Sequence, residues 1–199
     1  MGKKIKVLFF TGNRSEYGLL VPIIKKISDD DEMDYSLIVS GAHLSEKYGN
    51  TVKEIENDGL KIDYKLDIDS SGNSAQDIVF EVSDLIRKVG PIIIREKPDY
   101  FFVLGDRYET FAAAQTAFLN KIPIAHSGGG NITQGGCLDD TIRHLITQMA
   151  ALHFVTCEEN GENIKKLGEE SWRIIMSGSP AVETVMNEEL LSKECLEQD

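Results

Sequence analysis

Several residues in this chain have the types and spacing to do chemistry. Asp106, Arg107 and Glu109 follow directly on the apolar run Tyr100-Phe101-Phe102-Val103-Leu104. An acid at the carboxyl end of a buried strand is well placed to move a proton or bind a hydroxyl. Asp is also a good helix cap, and Tyr108 begins a helical pattern, so capping competes with chemistry there on even terms. Arg14 lies in Thr11-Gly12-Asn13-Arg14-Ser15-Glu16-Tyr17-Gly18, between an apolar run and a helix. Helix N-termini attract anions through free amides and the macrodipole, so an Arg there would grip a phosphate or a carboxylate. The plainer reading is a surface Arg paired with Glu16; Gly12 and Asn13 ease the turn and favour the anion. Gly128-Gly129-Gly130 permits close backbone approach to a ligand, and the loop from Ser127 to Gly136 exceeds an ordinary strand-to-helix connection. Beyond it, Asp139 and Arg143 are spaced i,i+4, as are Asp140 and His144. As plain helix ion pairs each contributes roughly 0.3–0.5 kcal/mol; their place after a glycine loop points to a site.

The remaining candidates are weaker. His43 follows a strand and either faces the site or is a loop histidine. His153 lies inside an apolar run and reads as a satisfied core histidine. Cys137 has no evident base partner and is incidental. The histidines are too scattered for a metal spacing.

These residues need elements to position them. Short apolar runs at Ile5–Phe10, Leu37–Val39, Tyr100–Leu104, Ile122–Ala125, Leu152–Val155 and Arg173–Met176 suit strands buried on both faces. Ile62–Ile68 alternates, as an edge strand does. Between them lie helical stripes: Leu19 to Ile27, Ile78 to Val89, Phe111 to Leu119, Thr141 to Ala150 and Glu158 to Leu167. Strand alternating with helix implies an α/β fold, a doubly wound, mainly parallel, Rossmann-like sheet. Ligands bind beyond the carboxyl ends of such strands. Glycine and charge concentrate on that edge, at Arg14, His43, Asp106 and the loop after His126. Residues 1–185 are expected to form this domain, with residues 186–199 as a polar helix or linker.

Composition narrows the function. The chain has 199 residues and a formal net charge of -12. That sign repels nucleic acid and anionic membranes, so neither is an expected partner, and an anionic ligand needs a local positive site. Cys137, Cys157 and Cys195 form neither a disulfide framework nor a CxxC motif. Free thiols and the short apolar stretch Val7–Phe10 near the start lead to the expectation of a cytoplasmic protein.

A family resemblance runs from about Lys4 to Glu183. Thr11-Gly12-Asn13-Arg14-Ser15-Glu16-Tyr17-Gly18 resembles the opening loop of the hydrolysing UDP-N-acetylglucosamine 2-epimerases. Gly41-Ala42-His43-Leu44-Ser45, Tyr48-Gly49-Asn50-Thr51 and Glu54-Ile55-Glu56-Asn57-Asp58-Gly59 resemble their second signature. Gly105-Asp106-Arg107-Tyr108-Glu109, Ile124-Ala125-His126 and Asp139-Asp140-Thr141-Ile142-Arg143-His144-Leu145-Ile146-Thr147 follow in the family's order.

The resemblance implies two Rossmann-like domains facing a cleft, as in GT-B architecture, of which this chain is the N-terminal half. It implies conversion of UDP-N-acetylglucosamine into N-acetylmannosamine and UDP, feeding sialic or related nonulosonic acids. Elimination of UDP with loss of the C2 proton gives a 2-acetamidoglucal, which is then hydrated. No metal or nicotinamide cofactor is required. Arg14 would contact the phosphates; Asp106 would be an acid/base or sugar-binding carboxylate, and Asp139 a second active-site carboxylate, with Arg143 holding Asp139 or the diphosphate. His43, Arg107, Glu109, His126, Asn131 and His144 would bind substrate. Members associate, so a homo-oligomer is expected.

The sequence departs from the family at one loop. Members carry His-Ile-His-Gly-Gly-Glu, or Glu at the second His. Here the stretch is His126-Ser127-Gly128-Gly129-Gly130-Asn131, and Asn cannot move a proton. With no second domain following, the chain alone is expected to be inactive. The competing readings are a degenerate sugar-nucleotide-binding module and a fragment of a GT-B glycosyltransferase.

Overall fold

The computed structural model describes residues 2–69, 72, 74–133 and 138–187. Seven parallel strands form one sheet: β1 (Ile5–Thr11), β2 (Met33–Ser40), β3 (Tyr64–Leu66), β4 (Tyr100–Leu104), β5 (Ile124–Ser127), β6 (Leu152–Val155) and β7 (Ile174–Met176). Their order is β3-β2-β1-β4-β5-β6-β7, with every neighbouring pair parallel. The expected fold class therefore holds, and "mainly parallel" becomes wholly parallel among the described strands. Strand order reverses between β1 and β4, and the crevice beyond their carboxyl ends is where such sheets receive ligands.

The connecting helices are α1 (Arg14–Ser28), α2 (Val52–Asn57), α3 (Ala75–Glu96), α4 (Tyr108–Leu119), α5 (Leu138–Met149), α6 (Glu158–Lys166) and α7 (Pro180–Asn187). Strand side chains alternate between two cores, as the pleat requires. Leu8, Phe10, Ile38, Phe101 and Val103 pack against α3, α4 and α5. Val7, Phe9, Leu37, Val39 and Phe102 pack on the other face against Tyr17, Leu20 and Ile24 of α1 and Ile55 of α2. Both faces of the central strands are buried, which is why their sequences are continuously apolar.

Five short elements escaped the sequence reading: α2, the 3₁₀ turns at Gly41–Leu44, Glu46–Tyr48 and Ser171–Arg173, and α7. Each is too short to show helical periodicity. The expected domain boundary between residues 185 and 186 falls inside α7, and residues 188–199 lie outside the described residues, as do Cys137 and Cys195.

The loop after β5 is fixed by backbone packing. Gly130 has φ +81°, and a Cβ built there would stand 2.2 Å from the carbonyl oxygen of Asn160. Its own carbonyl accepts a 3.0 Å hydrogen bond from Asn163 Nδ2. Gly130→Ala combines a left-handed strain with a backbone clash and should cost about 2–4 kcal/mol of stability. Urea unfolding of the variant checks this; an unchanged midpoint would contradict the close approach.

Candidate active site at the strand ends

At the turn from β1 into α1, Asn13 is the helix cap. Its side-chain oxygen accepts from the Glu16 amide at 3.1 Å. The amides of Arg14 and Ser15 ahead of it have no carbonyl partner within the helix, as at any helix start. Asn13, Arg14, Ser15, Ala42, Tyr48, Thr51, Arg107, Tyr108 and Glu109 line a cavity of about 400 Å³ in the crevice between the β1 and β4 ends. Arg14 is exposed at its rim. Its Nε meets Glu54 of α2 at 2.6 Å, so its acidic partner is Glu54 rather than Glu16. Arg107 is held by Glu109, with Nε 3.1 Å from Oε2 and NH2 2.9 Å from Oε1. Glu109 itself is buried, and its carboxylate holds the Arg107 guanidinium firmly charged. The cavity thus brings together two guanidiniums, each paired with a glutamate, and a helix N-terminus, the groups through which this chain could receive an anion despite its net charge.

On the other side of the β4 end stands a carboxylate cluster. Arg143, buried on α5, reaches Asp106 through NH2 and Asp140 through NH1 at 2.6 Å. The same NH1 donates to the Asn131 carbonyl at 3.1 Å. Asp140 also accepts the Thr133 amide at 2.9 Å, and His144 Nε2 lies 3.6 Å from it. The expected i,i+4 pair of Asp139 with Arg143 is therefore corrected. Arg143 pairs with Asp140, one residue nearer on the helix, and with Asp106 across the sheet, while Asp139 is exposed on the first turn. The reason is direction: Arg143 points inward to the β4 end, and only the inward-facing acid of the first turn shares that side. Asn131 contributes its carbonyl to Arg143, and its side chain donates to the Gly128 carbonyl at 3.3 Å.

Two histidines lie beneath the loops. His126 Nε2 is 3.0 Å from the Gly105 carbonyl, which fixes the proton on that nitrogen, and Nδ1 is 3.3 Å from the Thr147 hydroxyl. His43 bridges Thr11 Oγ1 at 3.0 Å and Thr51 Oγ1 at 2.8 Å. Both rings are fully buried, with both nitrogens engaged, so in this geometry they hold loops in place rather than present a face to a ligand. Burial pushes both imidazoles down to about 4. His153, buried in β6, has Nε2 3.4 Å from Glu169 and is likewise pushed down by burial.

The pH consequence has a definite sign. A histidine lowered from about 6.5 to about 4 leaves the unfolded chain holding the extra proton in that window, so stability contributed by His43 and His126 is lost as pH falls through it. Glu16 and Glu81, each raised by burial from 4.5 to about 7, act oppositely: their contribution is lost as pH rises across that interval. An NMR titration should find the His43 and His126 rings neutral until pH approaches about 4. A midpoint near the ordinary ~6.5 for either would contradict the burial.

A second cavity, of about 440 Å³, opens on the α1 face of β4–β6 beside α7. Its charged lining residues, Lys26 and Glu183, pair with each other at 2.5 Å, and the rest is mainly apolar. It offers nothing to polarise a bond, so the strand-end crevice is the candidate site. No group of His, Cys, Asp or Glu among the described residues has the arrangement to hold a metal ion. No helix there is long and apolar enough to cross a membrane.

Comparison with known proteins bears on this arrangement. The family profile for UDP-N-acetylglucosamine 2-epimerase matches residues 25–199. The chain belongs to that family. Among curated relatives it is 34% identical over 192 residues to the polysialic acid biosynthesis protein P7 of Escherichia coli, covering 96% of this chain and 49% of that protein. It is 35% identical over 195 residues to the GDP/UDP-N,N'-diacetylbacillosamine 2-epimerase (hydrolyzing) of Campylobacter jejuni, covering 98% and 50%. The chain spans about half the length of the curated relatives it matches. The UDP-GlcNAc 2-epimerase of Neisseria meningitidis, solved with UDP-GlcNAc bound, superposes with a TM-score of 0.81 at 24% identity, covering 92% of this chain and 48% of that one. At that identity the likeness establishes the fold, the GT-B-type architecture of which this family member spans about half.

The sequence reading of this epimerase-family chain gave no site role to Tyr48, Thr51 and Tyr108, which line the cavity, although all three lie in stretches already singled out by motif. Glu16 is buried beneath that cavity. The signal for Glu16 was present: Asn13 followed three residues later by Glu is a helix-start pattern, and such a Glu turns back toward the chain's entry.

Proposed function

We propose that this chain is the half of a hydrolysing sugar-nucleotide 2-epimerase that carries acid/base groups, acting on UDP-N-acetylglucosamine to give N-acetylmannosamine and UDP. Arg14, Arg107 and the α1 N-terminus hold the diphosphate. Asp106, fastened through Oδ2 by Arg143, keeps Oδ1 for the sugar and moves a proton at C2. Asp139, exposed on the first turn of α5, is the second carboxylate, and His144, which lies against Asp140, is a polar neighbour of the sugar. His43, His126, Glu109 and Asn131 act by holding these groups. In the elimination step the C2–H bond breaks, its proton passes to a carboxylate, and the C1–O bond cleaves as UDP leaves. In the hydration step water adds its hydroxyl at C1 and C2 regains a proton on the opposite face. The diphosphate carries away the electron pair, and the guanidiniums stabilise the charge that develops on it.

The observation that carries this reading is the juxtaposition at the β4 end. Arg107 lines the anion cavity while the adjacent Asp106 is gripped by Arg143. Gly128 and Asn131, which stand where the pattern of the resembled family has ionisable groups, concentrate the proton chemistry on Asp106 and Asp139. The assay is release of UDP and of free N-acetylmannosamine by the full-length protein, with the sugar product feeding sialic or related acids. Arg14→Ala should raise KM about tenfold or more with a smaller change in kcat, as loss of a phosphate contact does. Failure to release UDP from any 2-acetamido UDP-sugar, with binding retained, would instead support a binding module. The 199-residue chain alone should bind without turnover.

A second substrate has specific support. Two relatives at 30% and 35% identity are named as hydrolysing epimerases of N,N'-diacetylbacillosamine nucleotides, against 28% for a Neisseria UDP-N-acetylglucosamine enzyme. Running UDP-N,N'-diacetylbacillosamine beside UDP-N-acetylglucosamine in the same assay decides between them by kcat/KM.

A further inference from the structure

Glu16 is a buried carboxyl that none of the roles above uses. It sits in the first turn of α1, yet its side chain turns away from solvent. Oε2 accepts the Gly12 amide at 3.1 Å and Oε1 accepts the Thr110 hydroxyl at 2.9 Å. It therefore ties the backbone of the β1 turn to the first turn of α4, across the switch point of the sheet. The Gly12 turn packs closely on the start of α4, where a Cβ on Gly12 would stand 3.3 Å from Glu109 Cβ, and Gly105 lies in ordinary contact with Glu16, a Cβ there standing 3.7 Å from Oε1. The two helix starts it joins are those that bring Arg14 and Arg107 to one cavity.

We propose that Glu16 is the positioning residue of the anion turn, fastening Gly12 to Thr110, and that its ionisation sets how strongly the turn receives a diphosphate. The inference rests on the proposed function for the identity of the anion. A carboxylate under an anion site repels the ligand, whereas the neutral acid keeps the fastening without the charge. The charged groups facing Glu16 come from the start of α4: Glu109, which opposes its ionisation, and Arg107, which favours it while paired with Glu109. From β1 and β4 it meets the Gly12 amide and Gly105. His43, the other titratable group under this turn, bonds Thr11 and Thr51 and is held neutral. Burial raises the Glu16 carboxyl to about 7, which puts its change of charge in the working range. By reciprocity, a diphosphate bound above it must raise that value further, so affinity falls as pH rises.

The experiment uses wild type, Glu16→Gln and Glu16→Ala with UDP-N-acetylglucosamine, whose phosphodiesters do not titrate in this range. Gln keeps an acceptor for Gly12 but cannot ionise. Wild-type affinity should fall roughly fivefold or more as pH rises through about 7. The Gln variant should bind as wild type does at the acid end and stay flat. The Ala variant should bind about tenfold more weakly at every pH, as loss of a positioning contact does. A ligand-free readout runs alongside: the Gly12 amide resonance should titrate with a midpoint near 7 in wild type and not in the Gln variant. A Gln variant with the wild-type pH profile, or a Gly12 resonance indifferent to pH, overturns the proposal. Should Glu16→Ala fail to fold, the Gln comparison decides alone. Absence of any wild-type binding would sink the proposed ligand together with the coupling, while a titrating Gly12 would still establish the fastening. A titrating Gly12 with pH-independent binding would sink the coupling only.

Discussion

Asp106→Asn in the full-length protein should lower the rate of UDP release by about 10²–10⁴-fold, the range for loss of a positioned acid/base. The substitution is nearly isosteric. The Asn carbonyl can still accept from Arg143, so the β4 end and the α5 start stay joined. What disappears is the ability to take a proton. Affinity for UDP-N-acetylglucosamine should change only a few fold, because the proposed holders of the diphosphate, Arg14, Arg107 and the α1 N-terminus, line the cavity on the other side of the β4 end. Single-turnover kinetics beside equilibrium binding separates the two. Equal losses of binding and rate would move Asp106 from proton transfer to sugar binding.

Arg143→Ala should be the most damaging change at the site that does not remove a carboxylate. The guanidinium is buried and joins Asp106 on β4, Asp140 on its own helix and the Asn131 carbonyl in the glycine loop. Breaking a buried pair by removing one partner costs about 3–5 kcal/mol when both charges are sequestered. Asp106 keeps a quarter of its side chain exposed, so water relieves part of that and about 2 kcal/mol is expected. Thermal unfolding measures it. Arg143→Lys keeps the charge but not the fork, and one ammonium cannot hold Asp106 and Asp140 together. It should recover most of the stability while leaving turnover at least about tenfold down. Recovery of both would mean that only the charge matters there.

How much of this was legible in the sequence differs by element. The buried strands were plain, because a parallel strand covered on both faces has to be apolar throughout, as Phe101 to Leu104 are. The strand-end residues were plain for the complementary reason: charge at Asp106 and Arg107 breaks an apolar run where the sheet must open to water. The partner of Arg143 was not legible. Spacing admits Asp139 and Asp140 alike, and only the direction of the helix face toward β4 selects Asp140. His43 and His126 were placed near the site but not beneath it, since burial of a loop side chain depends on how loops pack on one another. The spacing from Asn13 to Glu16 signals that Glu16 turns back toward the chain's entry but not that it is buried, which depends on how the β1 turn and the start of α4 pack together.

The central claim is that this site takes a proton from C2 of a UDP-sugar and lets UDP leave. The most direct measurement is turnover of UDP-N-acetylglucosamine by the full-length protein in deuterium oxide, with the sugar product examined by NMR. The account predicts UDP and N-acetylmannosamine carrying solvent deuterium at C2. Release of UDP with the C2 proton retained and the gluco configuration unchanged would contradict it.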